Sequence, residues 1–334
     1  FVVAGGTMSE TTFKVTYRQN YVLPTPESDL VTKAFSGWYT APGSNGIQYT
    51  DHTGAGKSVW SDAEGRILYA GWIDVFEFWE ITLNQDKGYS VKKGEGINLL
   101  TEVKIPAEYD GLPVIDISSG AFHGCNNLIK IYIPDTILNI DYGSSGGRET
   151  GSPFSYCSSG GKSTGSPFSN CYNLMDVEVY EVYPGEVYEK RYTSIDGALF
   201  EYRDKENMSE LQLNYISYAR TGRYGIPYGV TVLPISIFDD ARFEYISVRA
   251  TVVKIDEKAF ASGTYLKKIE FLAQPDGETE LPLALDDLAF SGASYVVELV
   301  LPTRFDFSYK YFSVLSNLEK ISFTNDNWDY RAVE

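Results

Sequence analysis

At 334 residues the chain is long enough for more than one domain, and its 26 Tyr and 18 Phe supply ample surface for burial. A net charge of −17 excludes the basic surface that grips a phosphate backbone, so nucleic acid is not an expected partner. No apolar run is long enough to predict a membrane-spanning helix, and the opening Phe-Val-Val-Ala-Gly-Gly lacks the charged start of a signal peptide.

Residues 1–72 read as a small separate unit. Phe13, Val15 and Tyr17 alternate as in a strand, Pro24-Thr25-Pro26 ends a segment, and Trp38 and Trp72 offer large core groups. The phrases FVVAGGTMSETTFKVTYRQNYVLPTPESD, AFSGWYT and ILYAGW resemble a B-repeat of the internalin and flagellar-repeat type. That resemblance implies a β-grasp-like module strung along exported bacterial proteins, acting as a spacer. Within it, Gly54-Ala55-Gly56-Lys57-Ser58 looks like the end of a phosphate-binding loop. The first Gly of such a motif falls at Asp51, whose carboxylate repels phosphate, so no nucleotide cofactor is expected. Residues 73–97 carry two strand-like runs, VFEFWEITL and YSVKK, read as a linker and as N-terminal cap strands for a repeat region that begins at residue 98.

From residue 98 to 334 a phrase recurs. Counting from Phe122, Phe168, Phe260, Phe290 and Phe312 as zero, offsets six, nine and eleven give Leu128, Ile131, Ile133; Leu174, Val177, Val179; Leu266, Ile269, Phe271; Val296, Leu299, Leu301; and Leu318, Ile321, Phe323. In a chain that is 43% apolar, fifteen apolar residues at fifteen positions has a chance of roughly three in a million. The block at Phe238 runs one residue short, with Phe243, Ile246 and Val248. Five residues before most anchors stands another apolar group, Ile117, Leu233, Ile255, Leu285 or Phe307, so each turn has two short extended pieces.

A unit this small cannot bury its own apolar face and must stack on its neighbours, which predicts a mainly β solenoid. Alternation in the second piece turns Ile131 and Ile133 inward and Lys130 and Tyr132 outward. The same alternation aligns Lys130, Tyr132, Asp176, Glu178, Tyr245, Ser247, Lys268, Glu270, Glu298, Lys320 and Ser322 on one outer face, the candidate binding surface.

These phrases resemble the BspA-type leucine-rich repeats of bacterial surface proteins: KIPAEYDGLPVIDISSGAFHGCNNLIKIYIP (104–134), SIDGALF (194–200), IPYGVTVLPISIF (226–238) and VVKIDEKAFASGTYLKKIEF (252–271). The resemblance covers about residues 98–325. It implies an extracellular bacterial solenoid that presents a surface to a host or cell-surface protein or glycan, with no shared catalytic residues. The pattern departs at Tyr311, where Ala is usual, and residues 141–167 and 181–228 interrupt the spacing.

Other features point to structure before chemistry. Cys125 and Cys171 fall three residues after their anchors, where Gly263 and Ala293 stand in other turns, so both are expected in the core, with a bridge between them left open. Residues 144–157 and 158–171 agree at eleven of fourteen positions. Phe154 and Phe168 thus compete for one slot, and Phe168 is the expected anchor because only it has Leu174, Val177 and Val179 behind it. Cys157 matches the slot in the first copy, which reads as a Ser/Gly-rich loop.

His52 and His123 have no paired nucleophile, and no zinc or hydrolase motif occurs. Asp239-Asp240 and Asp286-Asp287 read as turn residues, although paired carboxylates leave a glycan-active enzyme as a remote alternative. Asn325 to Asp329 lacks the Gly and distal Glu of a calcium loop, and the Asn207-Met208-Ser209 sequon reads as incidental. The expectation is a monomeric, non-enzymatic surface adhesin without metal or cofactor; the alternative is a structural stalk within a larger surface protein.

Overall fold

Val, Ile, Tyr and Phe suit a pleated, half-buried backbone, and the chain is mostly β. The computed structural model describes residues 1–141, 167–168, 170–183, 190–204, 208, 210–239, 241–261, 265–272, 283–301 and 309–323. Phe154, Cys157 and the rest of the first tandem copy, Asp240, Phe307, Asn207, Ser209 and Asn325 to Asp329 lie outside them.

In the N-terminal part, strand Lys33–Ala41 runs antiparallel between Asn45–Gln48 and Tyr69–Asp74. Leu23, Phe35, Trp38, Trp60, Leu68 and Ala70 form its core. Trp38 is fully enclosed and its indole N–H donates to Pro24 O at 2.9 Å; Trp72 is half-buried. One expectation needs correcting. Phe13 and Val15 lie against the core, but residues 13–17 form no strand: Arg18 is left-handed at φ 61° and its N–H donates to Trp60 O at 2.8 Å, turning the chain away from a ladder. Residues 1–74 contain no helix, and Pro24 and Pro26 remove two helix donors from the stretch before the long strand.

Next comes a hairpin, Phe76–Leu83 with Asp86–Lys93, closed by Asn84 and Gln85, both at positive φ. Its second strand pairs in parallel with Leu112–Ile117, which pairs with Asn139–Ile140. This is the back sheet of the first repeat block. The front sheet is Glu102–Lys104, Lys130–Pro134 and Asp176–Tyr180, all parallel and in register. The ring of Phe76 meets Phe122 edge-on at 6.4 Å, so the hairpin covers the first anchor.

Residues 192–215 break the repeat. SIDGALF belongs to an antiparallel hairpin, Tyr192–Ile195 with Ala198–Tyr202, and not to a repeat turn. Asp196 and Gly197 sit at φ 48° and 70°, the left-handed pair that an Asp-Gly dipeptide favours at a two-residue hairpin turn. Leu211–Tyr215 adds antiparallel to this hairpin and then leads in parallel into Val230–Leu233, Lys254–Ile255 and Ala284–Leu285. Leu211–Tyr215 is buried at every position. Leu199 and Tyr215 join the core of the first block, while Phe200, Leu211 and Leu213 join that of the second. The front sheet of the second block is Thr221–Gly225, Arg242–Val248, Lys268–Phe271, Glu298–Leu301 and Lys320–Phe323.

The anchors hold the stack. Phe122 and Phe168 lie 5.9 Å apart with ring planes 8° from parallel; Phe238 and Phe260 repeat those values, and Phe260 and Phe290 lie at 5.3 Å and 14°. Two residues past an anchor the backbone turns left-handed, at φ 72° in Gly124, 59° in Asn170 and 89° in Gly292. Gly and Asn tolerate that conformation best. The first tandem copy has Tyr156 at the corresponding place, a second reason for the slot to hold Phe168. The last described turn is open: Ile321 is 43% exposed, whereas Ile131, Ile269 and Leu299 at the same offset are 0% exposed.

Candidate functional site

The predicted outward residues fall on the front sheets, in register and on one side, but in two groups. In the first block Lys130 lies beside Asp176 and Tyr132 beside Glu178. In the second, Tyr245, Lys268, Glu298 and Lys320 form one row, and Ser247, Glu270, Val300 and Ser322 form the next. The antiparallel hairpin separates the groups: Val177 N–H donates to Gly197 O at 3.0 Å, so the turn of the hairpin takes the edge that a further repeat strand would have used. Arg220 closes part of the gap through an ion pair with Asp176 and an Nε–H bond to Met175 O at 3.2 Å.

Several members of this face carry no sequence prediction. Glu102 and Lys104 extend the first group, pairing in register with Lys130 and Tyr132, and Arg223 heads the long row beside Tyr245. The sequence does carry a signal for them. Leu100, Val103 and Ile105 obey the six, nine and eleven spacing counted from Gly94, and Tyr224 and Ile226 hold offsets nine and eleven from Tyr215 with polar Thr221 at six, so a pattern that demands Phe at zero misses both. A second regularity lies outside that pattern too. Asn127, Asn173 and Asn317, each five past an anchor, donate from Nδ2 to the carbonyls of Asn98, Asn126 and Ser294 in the preceding turn at 2.5, 2.6 and 2.6 Å, tying turn to turn along one edge.

The chemistry of the face is mixed. Lys130 pairs with Glu178 at 2.7 Å and lies 4.6 Å from the Tyr132 ring centre; the Glu178 bond raises its pKa. Lys268 sits between Glu298 at 3.3 Å and Glu270 at 4.0 Å, and Lys320 reaches Glu298 at 3.0 Å. The Lys320 bond, then that of Lys268, holds the Glu298 carboxyl below its usual range. Tyr245 lies between the cations of Arg223 and Lys268, at 5.3 and 5.5 Å, and its hydroxyl donates to Glu270. Burial, followed by that bond, pushes its pKa up to about 12. The face therefore offers aromatic rings and charges already partly balanced among themselves, with no excess of one sign.

Asp51, Asp286 and Asp287 each have a structural partner. Asp51 Oδ1 accepts the N–H groups of Thr53 and Ala55 at 2.8 and 3.2 Å and the Thr53 hydroxyl at 2.6 Å, so it occupies the donors a phosphate would need. Those bonds, the Thr53 hydroxyl foremost, hold its carboxyl below the usual range. Asp286 accepts the Leu288 N–H at 2.8 Å as a turn cap, and Asp287 pairs with Lys310 at 3.1 Å. Among the described residues no group of three or more His, Cys, Asp or Glu is placed to hold a metal ion, and no helix is long and apolar enough to cross a membrane.

The profile of the BspA type leucine-rich repeat region matches in six copies over residues 96–184 and 231–329, the stretches on either side of the antiparallel hairpin. The chain belongs to the BspA-type leucine-rich repeat family. As a BspA-type repeat protein it is similar to a leucine-rich cell surface protein of Faecalibacterium prausnitzii, at 16% identity, 75% coverage of this chain, 94% of the other and a TM-score of 0.32. It is similar also to a leucine-rich repeat protein of Bacteroides capillosus, at 18%, 40%, 99% and 0.33. The pneumococcal vaccine antigen PcpA gives 18%, 68%, 57% and 0.34. No curated protein matches the BspA-type chain.

Proposed function

We propose that this BspA-type protein is a non-enzymatic recognition protein of the bacterial cell surface, binding a host protein, matrix component or glycan through its front sheets. The observation that carries the reading is the row Arg223, Tyr245, Lys268, Glu298 and Lys320, side by side over five in-register strands. Tyr and Arg are enriched in recognition surfaces, and a rigid sheet presents them at little entropic cost. The partner meets a face of mixed charge, so shape, ring stacking and directed hydrogen bonds decide the match. Family membership supports the surface location. In this reading residues 1–72 serve as a spacer and residues 73–97 as the cap of the first turn.

A printed array of mammalian glycans and matrix proteins tests the proposal. The wild-type chain is expected to bind at least one of them, and Lys268→Glu/Lys320→Glu is expected to weaken that binding tenfold or more while leaving the melting temperature within about 2 °C. Equal binding by the two proteins excludes this face. The mutual pairing of Lys268, Glu298 and Lys320 favours a second reading, a stalk whose sheet needs no partner; a wild-type chain silent on the array supports it.

A further inference from the structure

Two thiols in the core lie outside the proposed recognition face. Cys125 and Cys171 hold the same offset in neighbouring turns. Phe122 stacks on Phe168, the Phe122 N–H donates to Pro167 O at 2.8 Å, and Lys130 pairs with Asp176 in the adjoining strands. The pair 125 and 171 has the same separation in sequence as 122 and 168 or 130 and 176, so the two cysteines face each other across one turn interface. The anchor rings three residues before them stack 5.9 Å apart, a turn-to-turn spacing within the range of about 4.4–6.8 Å that a disulfide needs between Cα atoms. Cys171 Sγ donates to Phe122 O at 2.9 Å and lies within hydrogen-bonding reach of the Cys125 sulfur. Both residues are buried, and Ala293 fills the same slot in another turn, so this interface carries a pair of thiols where a small apolar residue suffices.

The two thiols differ in acidity. The hydrogen bond with Cys171 pulls the Cys125 thiol below its usual range, and the Lys93 ammonium adds to the effect. Cys171 is shifted up by the same bond and by burial.

We propose that Cys125 and Cys171 become joined by a disulfide when the chain folds in the presence of a low-molecular-weight disulfide, stapling these two turns. One of the two cysteines, having given its proton to solvent, attacks one sulfur of the small disulfide as a thiolate, forming a mixed disulfide and releasing one small thiolate. The other gives its proton to solvent and attacks the protein sulfur of the mixed disulfide; the protein disulfide forms and the second small thiolate leaves. Two protein thiols are oxidised and one small disulfide is reduced to two thiols, so atoms and electrons balance. Burial places the exchange before the slot closes, and afterwards the same burial shields the bond from reductants.

The test is to refold the full chain from denaturant in oxidised and reduced glutathione, denature it again, alkylate the remaining thiols, and measure intact mass and peptide linkage. Of the three cysteines, one is expected to alkylate, and one peptide pair is expected to link Cys125 to Cys171. The oxidised chain is expected to melt higher than the same chain refolded in reductant, and Cys171→Ala to abolish the difference. Three alkylated cysteines, glutathione adducts without a protein crosslink, or a link through Cys157 overturns the proposal. If Cys171→Ala does not fold, the wild-type linkage map decides alone.

Discussion

Phe260→Ala lowers the unfolding free energy by about 3–5 kcal/mol, read from urea or guanidinium unfolding followed by circular dichroism. Phe260 is fully enclosed, lies 5.9 Å from Phe238 and 5.3 Å from Phe290, and meets Phe271 edge-on at 6.2 Å. Alanine removes a whole ring from the middle of a column whose members are fixed by strands on both sides, so the neighbours cannot collapse into the space. The cost belongs to the upper part of the range for Phe, because contacts with two adjacent turns go at once. Phe312 in the open last turn is only partly buried, and its loss costs less.

Gly54→Ala destabilises the N-terminal part by about 3 kcal/mol or more, measured as earlier unfolding by the fluorescence of Trp38 and Trp60. Gly54 has φ 83°, and a Cβ there would stand 1.9 Å from the Leu23 carbonyl oxygen. The left-handed backbone alone costs an L-residue about 1–2 kcal/mol. The clash is with backbone, and the Leu23 N–H donates to Gly54 O at 2.8 Å, so relief means breaking the contact that seats fully buried Leu23 in the core. A glycine in a phosphate-loop-like phrase thus has its reason in packing.

The parts of the fold legible in the sequence are those where one residue type performs one repeated task. The anchors and the six, nine and eleven offsets report burial, and burial recurs with the turn, so Leu128, Ile131 and Ile133 point to the core in sequence and structure alike. The front face was legible for the same reason, since alternation in a strand fixes which residues face out. Its extent was not. Glu102 and Arg223 lie in turns whose anchor offset holds Gly94 or Tyr215, where the pattern asks for a Phe ring. The break at residues 192–215 was hidden because SIDGALF satisfies a repeat phrase and a hairpin equally; the left-handed Asp196-Gly197 pair decides it locally. Phe13, Val15 and Tyr17 show the converse limit. Alternation puts Phe13 and Val15 against the core while Tyr17 stays exposed, and a strand also needs a partner, which is a fact of tertiary structure.

Phe168 and its left-handed Asn170 turn fill the slot stacked on Phe122, one anchor to the turn. Deleting residues 144–157 tests it most directly, because the cut leaves an unbroken Ser-Ser-Gly-Gly junction and removes Phe154 and Tyr156 while keeping Phe168. Halving the length of chain between two fixed ends changes its closure cost by only about 0.6 kcal/mol, so one cooperative thermal transition within a few degrees of the parent is expected. Loss of that transition, or a melting temperature lower by about ten degrees or more, would mean that the first copy supplies the anchor in place of Phe168.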